Sequence, residues 1–443
     1  MPSQAKTTPR RPHRLSAARA DRTRLALRGG APIRDRAWPD WPVFDDATER
    51  AVVDCLRSGR WTISWRSDGT ASLERRFAEA WARYNDVPYC VSVDHGSSAV
   101  LLALEALDIG PGDEVVVPTM TWVAPATAVL RVGALPVLAD VDGETGCITP
   151  ETLRAALSHR TRAVVIVHLG CTVADIEGIL AVASAAGIEV IEDCAQAHGA
   201  EWQGRSVGGF GAMGAFSFQN GKVLAAGEGG AVITSDESLY IRLQQLRADS
   251  RRYPDEPVVA GQEELVKEGA VMGANYCMPE LCAAVLLDRL PRLDEEHDQR
   301  ERTARELETA LEDLGSFSAI PLPAAATKRS IFHYGIRFEP GTFGAAPIAR
   351  VAEALTAELG LRLYPPNPPL HRSVLFRPET KRRFAVVWSE DGRRRSMHRD
   401  FAGAERFGES TLLFHHAALL GGSDDVADIV AALDKVRRSH NEL

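Results

Sequence analysis

No apolar stretch of the 443-residue chain approaches the roughly 20 residues that a membrane helix needs. The N-terminus, MPSQAKTTPRRPHRLSAARADR, is basic and has no apolar core of the kind a secretory leader carries. Cysteine is sparse: seven residues, an odd number, with no CxxC pair and no regular spacing. That pattern argues against a disulfide framework and predicts reduced thiols in a cytoplasmic protein. No GxxxxGK[ST] loop occurs, and GGFGAMGAF lacks the strand-then-helix setting of a dinucleotide fingerprint. GRSVG (Gly204–Gly208) has the GxSxG spacing but runs into the glycine turn GGFGAMG rather than a helix, so it is no nucleophile elbow and serine hydrolase chemistry has no support. His333, His371, His415 and His416 fall outside any ligand spacing with cysteine or carboxylate; they read as satisfied or surface residues, and no metal site is expected. A formal charge of −9 argues against a nucleic-acid or anionic-membrane surface.

What is present has the composition of an ordinary globular enzyme with room for one large and one smaller unit. Residues 1–27 are rich in Arg, Ala, Thr and Pro without an apolar period, and read as a disordered basic tail. DDATERAVVDCLRSG reads as a helix capped by Asp45 or Asp46 and stopped by Gly59; LERRFAEAWARYND repeats the pattern. From Tyr89 to Ile233, strands such as YCVSVDHG, EVVVPTMTW, PVLADVD, AVVIVHL, IEVIEDC, GAFSFQ and AVITSD alternate with helical segments. This predicts an α/β fold whose mostly parallel central sheet is flanked by helices, within a large domain of residues 28–289. After Leu281 one long helix, LCAAVLLDRLPRLDEEHDQRERTARELETALEDL, is expected. A smaller C-terminal α+β domain, residues 290–443, completes the chain.

Ligands of such sheets collect at the carboxyl ends of strands, and four groups of residues fall there. His95-Gly96-Ser97-Ser98 stands between a strand and a helix, where free amides and hydroxyls suit a phosphate dianion, although an ordinary serine cap looks the same. Asp193 closes a buried strand, with Gln196 and His198 just beyond. Ser217 and Lys222 lie in FSFQNGKVLAAGEGGAVITSD, a lysine hemmed by glycines between two apolar runs. Trp122 follows EVVVPTMT and is placed to stack on a flat ring. Together these suit pyridoxal 5′-phosphate (PLP). Lys222 is the amine for a Schiff base, and Asp193 the carboxylate that keeps the pyridine nitrogen protonated.

The same residues carry a family resemblance. GSSAVLLALEAL, VVVPTMTWVAPATAVLRVGALPVLADVD, VIEDCAQAHGAEWQG, FSFQNGKVLAAGEGGAV and VMGANYCMPELCAAVLLDRLPRL resemble the DegT/DnrJ/EryC1/StrS aminotransferases, which have the type I PLP fold. RGGAPIRDRAWPDWPVFDD, RADSRRYPDEP and YPPNPPLHRS are similar to the branch that aminates keto-inositols with glutamine for aminocyclitol antibiotics. Phe218-Gln219-Asn220-Gly221 resembles the neighbouring 3-amino-5-hydroxybenzoate synthases instead, and nucleotide-linked keto-sugars are a further possible substrate class on this frame. The resemblance implies roles by residue. Lys222 is the Schiff-base lysine and proton carrier, Asp193 the pyridinium partner, and Gln196 a residue near the ring or its O3′. Gly96, Ser97, Ser98 and Ser217 bind phosphate, Trp122 stacks, and Asn275 reaches the phosphate of a neighbouring subunit in an obligate homodimer. The implied reaction is ping-pong transamination through pyridoxamine phosphate. For substrate hydroxyls the candidates by position are His198, Asn220, Tyr364 and Asn367; for the donor carboxylate they are Arg251 and Arg252.

Overall fold

The computed structural model describes residues 23–397 and 400–443. The tail expected over residues 1–27 lies outside them as far as residue 22, and its last residues are a correction. Leu25 is fully buried, and the Leu25 and Ala26 amides donate to Glu442 and Glu358. Leu25-Ala26-Leu27 is a short apolar triplet, enough to dock where a polar tail would not.

Helices α1 (Asp46–Ser58) and α2 (Leu73–Tyr84) precede the main sheet. Asp45 caps α1 through the Ala47 and Thr48 amides, and Gly59 ends it at φ +69°. Then follow β1 (Tyr89–Val93), α3 (Gly96–Ala106), β2 (Glu114–Pro118), α4 (Ala124–Arg131) and β3 (Leu135–Ala139). The chain continues through α5 (Pro150–Ala156), β4 (Thr161–Val167), α6 (Ile176–Ala186) and β5 (Glu189–Asp193). The short β6 (Glu201–Trp202) and β7 (Arg205–Ser206) lead to β8 (Met213–Ser217), β9 (Gly230–Thr234) and α7 (Glu237–Arg247).

Seven of these strands form one sheet in the order β1-β9-β8-β5-β4-β2-β3. It is parallel except at β9, which runs against both β1 and β8. All five residues of β2 and of β3 are buried, which is why VVV and PVL read as unbroken apolar runs rather than alternating ones. In β8 alternation decides the site. Phe216 packs edge-on against Trp81 of α2, so Ser217 presents the opposite face, toward α3.

The end of β1 is fixed from below. Arg247 of α7 is ion-paired with Glu74 of α2 and donates to the Ser92 carbonyl at 3.1 Å, all buried. Removing one partner of such a pair costs about 3–5 kcal/mol, because the other charge stays buried.

The expected single helix beyond Leu281 is two. α8 (Glu280–Arg289) ends in a 3-10 turn, Leu290–Arg292, before α9 (Leu293–Leu314). Pro291 is the cause: its ring and missing N–H break the helical ladder. We propose the domain division at this turn, although one continuous apolar core reaches both sides of it. The short pair β10 (Arg251–Arg252) and β11 (Val266–Lys267) precedes α8; beyond the turn and α9 come β12 (Phe317–Ala319), β13 (Ala326–Lys328), β14 (His333–Phe338), α10 (Ile348–Leu359) and β15 (Thr411–His415). β12, β14 and β15 form an antiparallel sheet, and β14 and β15 bring His333 and His415 opposite one another.

Candidate active site

Helix α3 starts at Gly96 directly after β1, and His95 at its N-cap gives no side-chain cap. The first amide of that turn with an acceptor is Ala99 N, bonded to His95 O at 3.0 Å. The amides of Gly96, Ser97 and Ser98 have none among the described residues. Three bare N–H groups at the positive end of an 11-residue helix are of the kind that suits an anion. The walls around them leave no slack. A Cβ on Gly96 would lie 2.5 Å from Ser217 Cβ, and one on Gly230 2.5 Å from the His95 carbonyl. Glycine at both positions lets the ends of β1, β8 and β9 meet backbone to backbone around these amides.

Asp193 ends β5, buried, with Oδ1 accepting from Ala195 N at 3.0 Å. Burial pushes its pKa up; the Ala195 amide and the Lys222 and His168 charges pull it back. A buried carboxylate with one hydrogen bond has capacity left for a cationic donor. Lys222 follows β8 in the loop to β9, half-buried, its Nζ 3.9 Å from the centroid of the Phe332 ring. Burial lowers its amine pKa to about 8, opposed by the Asp193 carboxylate. Trp122 stands exposed beyond β2. Anion cup, buried carboxylate, depressed amine and exposed aromatic all stand at the carboxyl ends of the parallel strands or just past them.

The model of the DegT/DnrJ/EryC1/StrS aminotransferase family matches residues 43–398. The chain belongs to this family. It is 44% identical over 419 residues to an L-glutamine:2-deoxy-scyllo-inosose aminotransferase of Streptoalloteichus tenebrarius, covering 95% of this chain and 99% of the relative. To the L-glutamine:scyllo-inosose aminotransferase of Streptomyces griseus it is 43% identical over 412 residues, 93% and 97% of the two chains. The solved structure of a 3-amino-5-hydroxybenzoic acid synthase superposes with TM-score 0.76 at 26% identity, over 92% of this chain and all of that one. The DegT/DnrJ/EryC1/StrS chain described here is therefore an aminotransferase.

The other expected residues lie as follows. Ser217 is buried at the cup, and Ser98 is buried and Ser97 exposed at the α3 start. Gln196 Oε1 accepts from Gly170 N at 2.9 Å, and the Gly170 carbonyl takes the Phe332 and His333 amides, which ties the turn after β5 to the Phe332 ring. Tyr364 meets His333 edge-on at 5.7 Å, and burial pushes its phenol up to about 12. Asn275 is exposed, and the next residue accepts Asp94 N at 2.8 Å, so this segment runs beside the end of β1.

Others depart from expectation. His198 is fully buried among Trp81, Phe216 and Phe218, on the face of β8 opposite Ser217. Burial, with the nearby Lys222 charge, holds it well below the usual histidine range, and it can touch no substrate there. Arg252 is engaged by Asp255 and Glu268, each at 2.9 Å, and by the Tyr253 carbonyl; Arg251 is held by Ala248 O, Ser64 and Asp249. The Arg252 fork is occupied on all three nitrogens, whereas Arg251 is engaged through Nε and Nη2. The side chains of Asn220 and Asn367 are exposed, and Asn220 takes part through its backbone.

One gathering of ligand-type side chains is His168, Glu192 and Cys194. Glu192 accepts from the amides of Gly208, Phe210 and Gly211 at 2.7–2.8 Å and from His168 Nε2 at 3.3 Å. Those bonds saturate the carboxylate, and Cys194 is held in its thiol form by burial. The cluster braces β5 from inside.

Trp41 and Phe332, which sequence reasoning passed over, and His333, His415 and His416, which it read as satisfied or surface residues, lie against Lys222 or the turn before it. Only LLFHH, two histidines closing an apolar run, offered a signal.

The depressed amine has a measurable consequence in protein stripped of any cofactor. Between about pH 8 and 10.5 the unfolded chain holds a proton on Lys222 that the folded chain has released. Stability contributed by this group therefore rises with pH through that window, and its full cost is present below it. Lys222→Met removes the cost, so at pH 7 the variant should be more stable than the parent by about 1–3 kcal/mol. The gap should close as pH approaches 10.5. Melting curves from pH 6.5 to 10.5 check this; a constant gap would show that the amine is solvated.

Proposed function

We propose that this chain transfers an amino group from L-glutamine to a keto-cyclitol of the scyllo-inosose or 2-deoxy-scyllo-inosose type, with PLP as cofactor. The observation that carries the reading is the alignment of three groups: bare α3 amides for a phosphate, buried Asp193 for a protonated ring nitrogen, and Lys222 poised near pH 8. The close approach of Gly96 to Ser217 and of Gly230 to the His95 carbonyl supports this reading, because it holds the bare α3 amides and the Ser217 hydroxyl side by side.

PLP, when bound, supplies an electrophilic carbonyl and a ring that stores the electrons of a developing carbanion. The chain supplies the rest. The amides of Gly96, Ser97 and Ser98, with the Ser98 and Ser217 hydroxyls, hold the phosphate. Asp193 keeps the ring nitrogen protonated through a charge-assisted hydrogen bond. Trp122 covers one ring face. Lys222 Nζ would hold the cofactor covalently, and as a free amine near its own pKa it would serve as the base that moves one proton at the substrate carbon.

The surroundings of Lys222 favour an uncharged polyol. His333 and His415 are held neutral by burial and Tyr364 keeps its phenolic proton, so the groups near the amine are neutral donors and acceptors. A nucleotide-linked sugar would call for cationic partners to its diphosphate. The names of the relatives support the same choice. We infer further that the protein is cytoplasmic and dimeric, with Asn275 completing the phosphate cup of the partner. No helix among the described residues is long and apolar enough to cross a membrane.

The test is a panel: purified protein with PLP, L-glutamine as donor, and scyllo-inosose, 2-deoxy-scyllo-inosose or a nucleotide keto-sugar as acceptor. The cyclitols should turn over at least about 10²-fold faster in kcat/KM than the nucleotide sugar. Preference for the nucleotide sugar, or loss of water with aromatisation to a 3-amino-5-hydroxybenzoate-type product, would replace this reading.

A further inference from the structure

Lys222 belongs to no helix or strand, yet a proton carrier must keep its amine in place to within a fraction of an ångström. Every carbonyl of the preceding turn is held. Gln219 O takes Lys222 N at 2.8 Å, and Asn220 O takes Trp41 Nε1 at 3.1 Å. Gly221 O takes two imidazoles, His415 Nε2 at 3.1 Å and His416 Nε2 at 3.3 Å.

The remaining ring nitrogens settle which proton is where. A carbonyl only accepts, so each Nε2 carries the hydrogen. His416 Nδ1 faces Arg300 Nε at 3.2 Å, and His415 Nδ1 faces Ala417 N at 3.3 Å. Both of those groups only donate, so each Nδ1 is bare. The two constraints are independent and agree: both rings are neutral Nε2–H tautomers. Arg300 is itself buried and held by Glu296 at 3.0 Å, and Trp41 packs edge-on against His416 at 4.5 Å. Burial first, then the Arg300 charge from α9, disfavours a second proton on either ring, and for His416 the neighbouring His415 and His333 of β14 add to this.

We propose that His415 and His416 are positioning residues for the reaction. Through the Gly221 carbonyl they set where the Lys222 amine stands, with Arg300 locking the His416 tautomer. This rests on the reading of Lys222 as the working amine. A packing role alone would need the ring volumes and not the two Nε2 hydrogens.

The test separates those. His415→Leu and His416→Leu keep apolar bulk and lose the donor. His415→Gln and His416→Gln return an N–H near the Nε2 position, while His415→Asn and His416→Asn place it at the Nδ1 position, short of the carbonyl. The first readout needs no cofactor: the Lys222 pKa in apoprotein, by NMR of 13C-methylated lysines. The chain has six lysines, and Lys222→Met identifies the signal.

Freed of its tether the amine should swing toward water, and its pKa should rise by about one unit or more in the Leu and Asn variants. The Gln variants should return it to near 8. With PLP restored, kcat should fall about 10–100-fold in the Leu and Asn variants, with KM for the ketone little changed, and recover with Gln. An unchanged Lys222 pKa in folded Leu variants would overturn the proposal, as would failure of Gln to outperform Asn. If the Leu variants do not fold, the Gln and Asn comparison decides alone. Wild-type protein that takes up no PLP, yet shows these shifts, would remove the functional reading and leave the tether.

Discussion

Lys222→Ala should leave purified, PLP-supplemented protein with at least about 10⁴-fold less amino transfer, since both the covalent hold and the proton carrier go. The visible yellow absorbance that depends on the lysine should vanish while the fold persists, because Lys222 contributes to stability with the wrong sign at neutral pH. Retained turnover would remove the mechanism. The same variant also tests whether sites are shared between subunits. Co-expressed with Asn275→Ala chains, Lys222→Ala chains form mixed dimers in which one site has Lys222 from one protomer and Asn275 from the other. With random pairing half the dimers are mixed and each has one intact site of two, so about a quarter of the parental activity should return, and no recovery would confine each site to one chain.

Asp193→Asn should cost nearly as much. The substitution keeps shape and removes the charge that holds a proton on the ring nitrogen. Loss of a charge-assisted hydrogen bond of about 1.5–3 kcal/mol weakens cofactor retention about 10–100-fold. Turnover at saturating PLP should fall by about a further 10²-fold, because the neutral ring is a poorer electron sink. Apoprotein should move the other way. Burial already pushes the Asp193 carboxyl up, so Asn is the easier group to bury and the melting temperature should rise. An Asn variant with parental turnover would place the ring nitrogen elsewhere.

The strand alternation and the strand-end positions of Asp193, Ser217 and Lys222 were legible because they follow from local pattern: apolar runs, glycine turns and a helix start. The break at Pro291 was legible in principle, from a proline inside a helical period. What the chain does not announce is which face a side chain takes when its partners are distant in sequence. His198 sits two residues beyond Gln196, yet its ring goes under the sheet to Trp81, over a hundred positions earlier in the chain, while Gln196 turns to Gly170. Arg252 reads as a free cation only until Asp255 and Glu268 are seen around it. His415 and His416 meet Gly221 from nearly two hundred residues away, a contact that no spacing rule encodes.

The backbone contact among Gly96, Ser217 and Gly230 bears on how such a catalyst could be redirected. Mutant libraries aimed at new ketones should hold those three positions constant, since any added atom displaces main chain rather than a pliable side group. Diversity belongs at the other rim, around Tyr364 and Asn367, where the described residues leave surface for new shapes.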